Sequence, residues 1–286
     1  MTIDEFMTTH RYGYNIVSGK VEQFKYYDLD KSYIELIKNN RFSLVVKSRQ
    51  MHFTDVMAGY TAWHLLFNTN LDSVDVGYIT VNLQSGYHFK ERVISYLRKY
   101  GFNYKDYLID NKGKIMLPNG NNLTIFPTNI DAFRGVSFNG LLIIDEAAYI
   151  KNFKKIYEVI VSSISENCQL IVGSTPNGIE FFYRLYENSV TGCNIFKSLQ
   201  VNYKNHPNRN QEWYDDMCEH LTEPQIKIEL LGEFFIEEKE KKNKKLNQII
   251  FRVEDDIMLK INKKLIDFDI KMSEYIRGLI LKDINQ

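Results

Sequence analysis

Two neighbouring carboxylates at the end of an apolar run are the strongest chemical signal in the sequence. Leu141-Leu142-Ile143-Ile144 leads directly into Asp145-Glu146. A buried strand ending this way is a Walker B pattern. It carries Asp145 to the rim of a sheet, where its carboxylate holds Mg2+, and sets Glu146 beside it to orient and deprotonate an attacking water. A plain core strand running into an acidic loop has the same local look, so the pattern needs company. A second candidate begins with the apolar run 42–46, followed by Lys47-Ser48-Arg49-Gln50-Met51-His52-Phe53-Thr54 and a helical stretch. A strand, a tight loop and a helix opening on a hydroxyl form the arrangement whose backbone N–H groups cradle phosphates, with Thr54 as a metal ligand. The usual Gly-Lys before the hydroxyl is here His52-Phe53. Histidine accepts positive φ better than most residues, but less easily than glycine.

Two more segments belong with these. Gly173-Ser174-Thr175-Pro176-Asn177-Gly178 follows the apolar run 170–172 and places hydroxyls where a motor ATPase senses a γ-phosphate. Asp131-Ala132-Phe133-Arg134-Gly135 offers an arginine in a turn. That arginine suits charge stabilisation on a transferring phosphoryl group, and equally a surface pairing with a nearby Asp.

Groups of this kind need a scaffold that brings strand ends together. Residues 42–46, 77–81, 123–126, 141–144 and 170–172 read as strands, and 55–67 and 87–100 as helices. The alternation predicts an α/β domain with a mostly parallel sheet flanked by helices, its chemistry at the C-terminal strand ends. A chain of 286 residues has room for one such domain and a small appendage. With 44% hydrophobic and 25% charged residues it is neither disordered nor fibrous. No apolar run reaches the roughly 20 residues of a membrane span, and Met1-Thr2-Ile3-Asp4-Glu5 lacks a signal pattern. Cys168, Cys193 and Cys218 fit neither a disulfide framework nor a zinc site, which points to a reducing compartment.

The net charge is zero, with 36 basic and 36 acidic residues. Residues 1–235 hold 24 basic and 26 acidic side chains, and residues 236–286 hold 12 and 10. Neither excess argues for or against nucleic acid. Residues 237–245, Glu-Glu-Lys-Glu-Lys-Lys-Asn-Lys-Lys, contain no apolar side chain and mark 236–246 as a solvated linker. Beyond it, 247–253 reads as a strand, 255–268 as a helix, and 273–284 as a second helix capped by Ser273.

Taken in order, Lys47–Met51, Asp131–Gly135 with Ser137-Phe138, Ile143–Ala147 and Ser174–Gly178 with Phe182-Tyr183 resemble the ATPase domain of tailed-phage terminase large subunits. The likeness runs over about residues 25–235 and includes Glu229-Leu230-Leu231-Gly232-Glu233-Phe234. It implies a P-loop NTPase fold of the ASCE type and an ATPase that drives double-stranded DNA into a procapsid. ATP and Mg2+ are the implied ligands. The implied partners are a portal or procapsid, a small terminase subunit and further copies of the chain in a ring, in the cytoplasm of an infected host cell and away from any membrane. By resemblance Lys47 supplies the phosphate-loop lysine early, and Arg49 and Arg134 act on phosphoryl charge, Arg134 towards a neighbouring subunit. Ser174 and Thr175 couple hydrolysis to DNA movement. Leu29-Asp30 stands where the family often presents Tyr-Gln to adenine. Residues after Gly232 are too few for the family's nuclease domain, so no nuclease activity is expected of this sequence. The alternative is a degenerate relative that binds DNA and assembles without turnover.

Residues 247–286 resemble a ribbon-helix-helix module, which dimerises to enter the DNA major groove. Strand alternation then turns Ile249, Phe251 and Val253 inward and leaves Gln248, Ile250 and Arg252 to meet base edges, with Ser273 at a phosphate. A helical hairpin serving only oligomerisation is the plainer reading of the same pattern.

Overall fold

The computed structural model describes residues 1–15, 20–68, 74–133 and 135–235. The linker 236–246 and the module 247–286, with Gln248, Ile250, Arg252 and Ser273, lie outside the described residues. The elements are α1 (Ile3–His10), β1 (Tyr12–Asn15), β2 (Lys20–Gln23), α2 (Asp28–Asn39), β3 (Phe42–Lys47), α3 (Phe53–Phe67), β4 (Asp75–Ile79) and α4 (Leu83–Tyr100). They continue with β5 (Ile109–Asn111), β6 (Lys114–Met116), β7 (Asn122–Phe126), β8 (Gly140–Asp145), α5 (Phe153–Val161), β9 (Gln169–Ser174), α6 (Phe181–Val190), β10 (Lys197–Val201) and α7 (Gln211–His220). A short helical turn, Glu223–Gln225, runs into a π-type turn, Ile226–Leu230.

Strands β1 and β2 form a separate antiparallel hairpin. The main sheet has eight strands in the order β10-β3-β9-β8-β4-β7-β6-β5. Its first six strands are parallel, and β5 and β6 extend it antiparallel from β7. This is the mostly parallel, helix-flanked α/β architecture expected from the alternation of runs.

Two apolar layers hold it together, because alternate side chains of a strand face opposite sides of the sheet. Val45, Leu141, Ile143 and Ile171 pack under α1, α2, α3 and α4. Leu44, Val46, Leu142, Ile144, Leu170 and Val172 pack against α5 and α6. All six residues of β8 are buried, as expected for a central parallel strand covered on both faces. Helix α4 starts on Asn82, whose side chain accepts a hydrogen bond from the Ser85 N–H at 2.9 Å.

One expected strand is displaced. The run 77–81 becomes β4 at Asp75–Ile79, paired from Asp75 onward with both β7 and β8. Thr80 and Val81 instead form the exit to α4, whose N-cap Asn82 takes the chain away from the sheet.

Strand order decides what can meet. Because β9 lies between β3 and β8, the carboxylates after β8 are two strand spacings, roughly 10 Å, from the end of β3. Only long side chains bridge that distance, and they must pass over the C-terminal end of β9.

Candidate nucleotide site

Lys47 is the last residue of β3 and is 4% exposed. Its Nζ donates to Glu146 Oε1 at 2.7 Å, closing the gap across β9. Glu146 leaves β8 in a left-handed conformation, φ 56°, which turns its carboxylate back over the strand ends. Its other oxygen accepts from the Thr175 N–H at 3.4 Å. A non-glycine residue held at positive φ stores strain of about 1 kcal/mol or more, typical of a constrained functional position.

Asp145, 2% exposed, sits beside it. Thr54 Oγ1 donates to its Oδ2 at 2.6 Å, the Tyr78 hydroxyl to the same oxygen at 3.0 Å, and the Glu146 N–H to Oδ1 at 2.9 Å. Burial pushes the Asp145 carboxyl above its ordinary range; Lys47 opposes this and Glu146 adds to it.

Between β3 and α3 the chain makes the expected loop, with Gln50 at φ 57° and His52 at φ 59°. The N–H groups of Ser48 and Arg49 are taken by Val201 O and Glu229 O, each at 3.0 Å. Those of Gln50, Met51, His52, Phe53 and Thr54 have no acceptor among the described residues. Five consecutive unpaired amides opening a helix make a phosphate-type cradle.

The loop has no glycine, and side chains from elsewhere support it. His52 Nδ1 meets Asp30 Oδ1 at 3.0 Å, and Asp30 is gripped by the Arg11 guanidinium and by the Tyr27 N–H at 2.8 Å. Burial would raise the Asp30 carboxyl, but His52, Arg11 and Tyr27 together hold it below its usual value. The Tyr33 hydroxyl donates to Met51 O at 2.9 Å. Arg209 donates to Arg49 O at 3.0 Å and to Gln50 Oε1 at 3.3 Å, with its guanidinium 4.4 Å from the centre of the Trp213 ring.

Phe53, at the usual lysine position, is 1% exposed and packs edge-on to Tyr33. Its ring lies so close to Gly173 that a Cβ there would fall 2.4 Å from it. Arg49 pairs with Glu229, Nη1 to Oε1 3.3 Å. Ser48 is fully buried, and its hydroxyl has no partner among the described residues. Gly232 also approaches closely, at φ 63°, where a Cβ would sit 2.9 Å from Val201 O and 3.0 Å from Ser48 N at the start of the loop.

Ser174 is buried at the end of β9, where its hydroxyl accepts from Ala148 N–H at 3.1 Å and donates to Thr175 O at 2.8 Å. Asn177 reaches Ala148 O at 3.2 Å and Tyr149 reaches Pro176 O at 3.3 Å. The expected coupling segment is therefore bonded to the chain just after Glu146.

Two cavities of about 550 Å3 each share Arg49, Thr54, Arg92 and Glu146. The one over the loop is also lined by Lys47, Gln50, Met51, His52 and Phe53, with Phe24 and Tyr27 as aromatic walls. The other continues past Asp145 and Thr175 to Ser85 and His88 on α4. Neither Leu29 nor Asp30 lines these cavities; both are buried, and Asp30 serves the loop.

Of the residues expected at the site, Lys47, Arg49, Gln50, Met51, His52, Phe53, Thr54, Asp145, Glu146 and Thr175 line one cavity or the other. Ser48 and Ser174 lie beneath them as backbone supports. Arg134 lies outside the described residues. Sequence reading missed Arg11, Tyr78, Arg92 and Arg209, none of which belongs to a local pattern, and it placed Glu229 in the segment Glu229–Phe234 without its contact to Arg49.

Among the described residues no group of three or more His, Cys, Asp and Glu could hold a metal alone. One carboxylate and one hydroxyl at hydrogen-bond distance nevertheless fit Mg2+, which usually takes one or two protein oxygens and completes its octahedron with phosphates and water.

No protein-family model matches the sequence. Among solved structures, the HK97 bacteriophage large terminase aligns with a TM-score of 0.61 at 12% identity, covering 82% of this chain and 56% of that one. The large terminase of a thermophilic bacteriophage aligns at 0.57 and 12% identity, covering 73% of this chain and 53% of that one. That second protein has also been solved with ADP and with ATP-gamma-S. The ATPase domain of the Thermus phage P74-26 large terminase aligns at 0.56 and 18% identity, covering 74% of this chain and 95% of that domain. The chain thus spans about half the length of the first two proteins, and nearly all of the isolated ATPase domain. At these identities the likeness is one of fold: residues 1–235 have the mixed, mostly parallel P-loop architecture of the large-terminase ATPase domains.

Proposed function

We propose that this chain is a terminase-like ATPase that hydrolyses ATP with Mg2+ to move double-stranded DNA into a procapsid, working in a ring of identical subunits. By the same reading a portal and a small terminase subunit are its partners, and residues 247–286 add a DNA-binding or dimerising module. The observation that carries the reading is the Lys47–Glu146 pair above β9, with Thr54 and Asp145 bonded beside it. Four groups from three separate segments converge at the strand ends in the arrangement phosphoryl transfer needs.

Their roles follow from charge and reach. The unpaired amides of Gln50 to Thr54 bind the β- and γ-phosphates. Lys47, held by Glu146 at rest, exchanges that carboxylate for a phosphate oxygen and so releases Glu146 to accept the proton of an attacking water. Arg49 makes a parallel exchange, leaving Glu229 for phosphoryl charge. Thr54 and Asp145 would hold Mg2+, which neutralises charge on the β- and γ-oxygens when bound. Glu146, through Thr175, and the Ser174 contact to Ala148 join the reacting end to the coupling segment.

Phe53 supports a second reading, binding without turnover, because the usual lysine position is filled by a ring packed in the core. Steady-state hydrolysis with and without DNA decides between them. Glu146→Gln is expected to lower turnover by about 100-fold or more while nucleotide affinity stays within about threefold. Calorimetric Mg-ATP binding by a wild-type chain with no turnover at any DNA or protein concentration would establish the second reading.

A further inference from the structure

A separate groove of about 440 Å3 lies between the chain that follows Glu146 and the start of α6. Lys151, Lys154, Lys155 and Arg184 line it, with Glu180 as the single carboxylate. For a chain with zero net charge this is a marked local excess of positive charge. Lys154 is within 3.7 Å of Glu158, but both are more than half exposed, so the pair is weak. Lys151, Lys155 and Arg184 are exposed and form no ion pair among the described residues. Helices α5 and α6 both begin in the groove, and neither N-cap residue, Asn152 or Glu180, makes a side-chain cap bond.

We infer that this groove binds the phosphate backbone of double-stranded DNA. Exposed cations without an ion-pair partner among the described residues, gathered in one groove, are suited to a row of phosphates; the start of α5 adds little, since the Phe153 and Lys155 N–H groups are already taken by Ile150 O and Asn152 O. The groove's wall is the segment 147–155, whose backbone at Ala148 is bonded to Ser174 and whose Tyr149 is bonded to Pro176. A phosphate drawn between Lys151 and Arg184 therefore bears on the chain directly after Glu146. The inference deepens the proposed function by assigning a DNA contact to the ATPase domain, and its coupling half rests on that reading.

The test uses the full chain with Lys151→Glu and Lys155→Glu combined, and a second variant with Lys151→Gln and Lys155→Gln. Both positions are exposed, so an unchanged thermal unfolding midpoint confirms an intact fold. Binding of a short labelled DNA duplex is followed by fluorescence anisotropy across a salt series. Each phosphate contact contributes about 0.9 to the slope of log K against log salt, so losing two lowers the slope by about 2 and weakens binding about tenfold or more at low salt. The neutral variant should fall between the charge-reversed and wild-type chains. The same loss should appear in a background carrying Gln248→Ala and Arg252→Ala, which separates the groove from the C-terminal module. An unchanged slope and affinity in the charge-reversed chain would overturn the inference, as would equal competition by an acidic peptide of matched charge. DNA-stimulated hydrolysis should fall in parallel while hydrolysis without DNA persists. A chain that binds DNA through the groove but never hydrolyses ATP would refute the ATPase reading and leave the groove standing.

Discussion

Replacing His52 with glycine restores the residue a phosphate loop usually carries at a left-handed position, yet it should destabilise this protein. At φ 59° a non-glycine residue costs about 1 kcal/mol relative to glycine, even after allowing for glycine's greater freedom in the unfolded chain. Against that gain stands the bond from the His52 ring to Asp30, 3.0 Å long, to a carboxylate with no exposed surface. Hydrogen bonds to charged groups contribute about 1.5–3 kcal/mol, and His52 is only 24% exposed, so about 2 kcal/mol is reasonable here. His52→Gly therefore loses about 1 kcal/mol net. His52→Ala, which keeps the strain and loses the bond, loses about 2. Urea unfolding followed by the fluorescence of Trp63 and Trp213 would resolve the difference, since 1 kcal/mol moves the midpoint by about 0.3–0.5 M. In an Asp30→Asn background the bond is weakened in advance, and His52→Gly should become neutral or stabilising. A single His52→Gly variant more stable than wild type would show that the histidine is a misfit, not a brace, and the argument would fail.

That brace also marks the limit of what the sequence reveals. The strands that carry chemistry were legible because each is an apolar run ending in a polar residue, and burial on both faces demands that pattern in β3, β8 and β9. Lys47, Thr54, Asp145 and Glu146 could be read with them, since each is fixed by a strand end or a helix start. Edge elements were not legible: β10 alternates Lys, Ser, Leu, Gln and Val, with partial exposure, and resembles a loop until β3 supplies its partner. The supports of the loop were hidden for a different reason. Arg209 reaches the loop from 160 positions away and Glu229 from 180, and no local periodicity encodes such a contact. The departure at His52 was visible, but Asp30 was read against adenine, whereas its carboxylate is buried and turned to the loop. A substitution at a strained position is intelligible only together with the residue that offsets it.

Three further perturbations probe the same architecture. Gly232→Ala places a methyl 2.9 Å from Val201 O and 3.0 Å from Ser48 N at φ 63°, so stability should fall by about 2 kcal/mol or more in urea, and fluorescent-ADP affinity should fall with it. Tyr78→Phe removes a donor from Asp145, whose carboxyl burial already raises, so its titration should move higher still. Mg2+ affinity, which grows as that carboxyl ionises, should then show its pH midpoint shifted upward, and an unmoved midpoint would exclude Asp145 as the ligand. His64 gives the last test. It is 8% exposed, its Nδ1 has no partner among the described residues, and burial lowers its pKa from 6.5 to about 4. The unfolded chain therefore takes up a proton that the folded chain refuses, so its contribution is complete above pH 6.5 and is lost as pH falls towards 4. The window corresponds to about 3 kcal/mol. His206 is lowered in the same direction by burial, Arg209 and His52, and adds a smaller share because it is less buried. His64→Leu should flatten the stability curve across this window while leaving the His206 share. A variant whose urea midpoint falls from pH 6.5 to 4 as steeply as wild type would show that the folded imidazole takes up its proton as readily as the unfolded one, and the argument would fail.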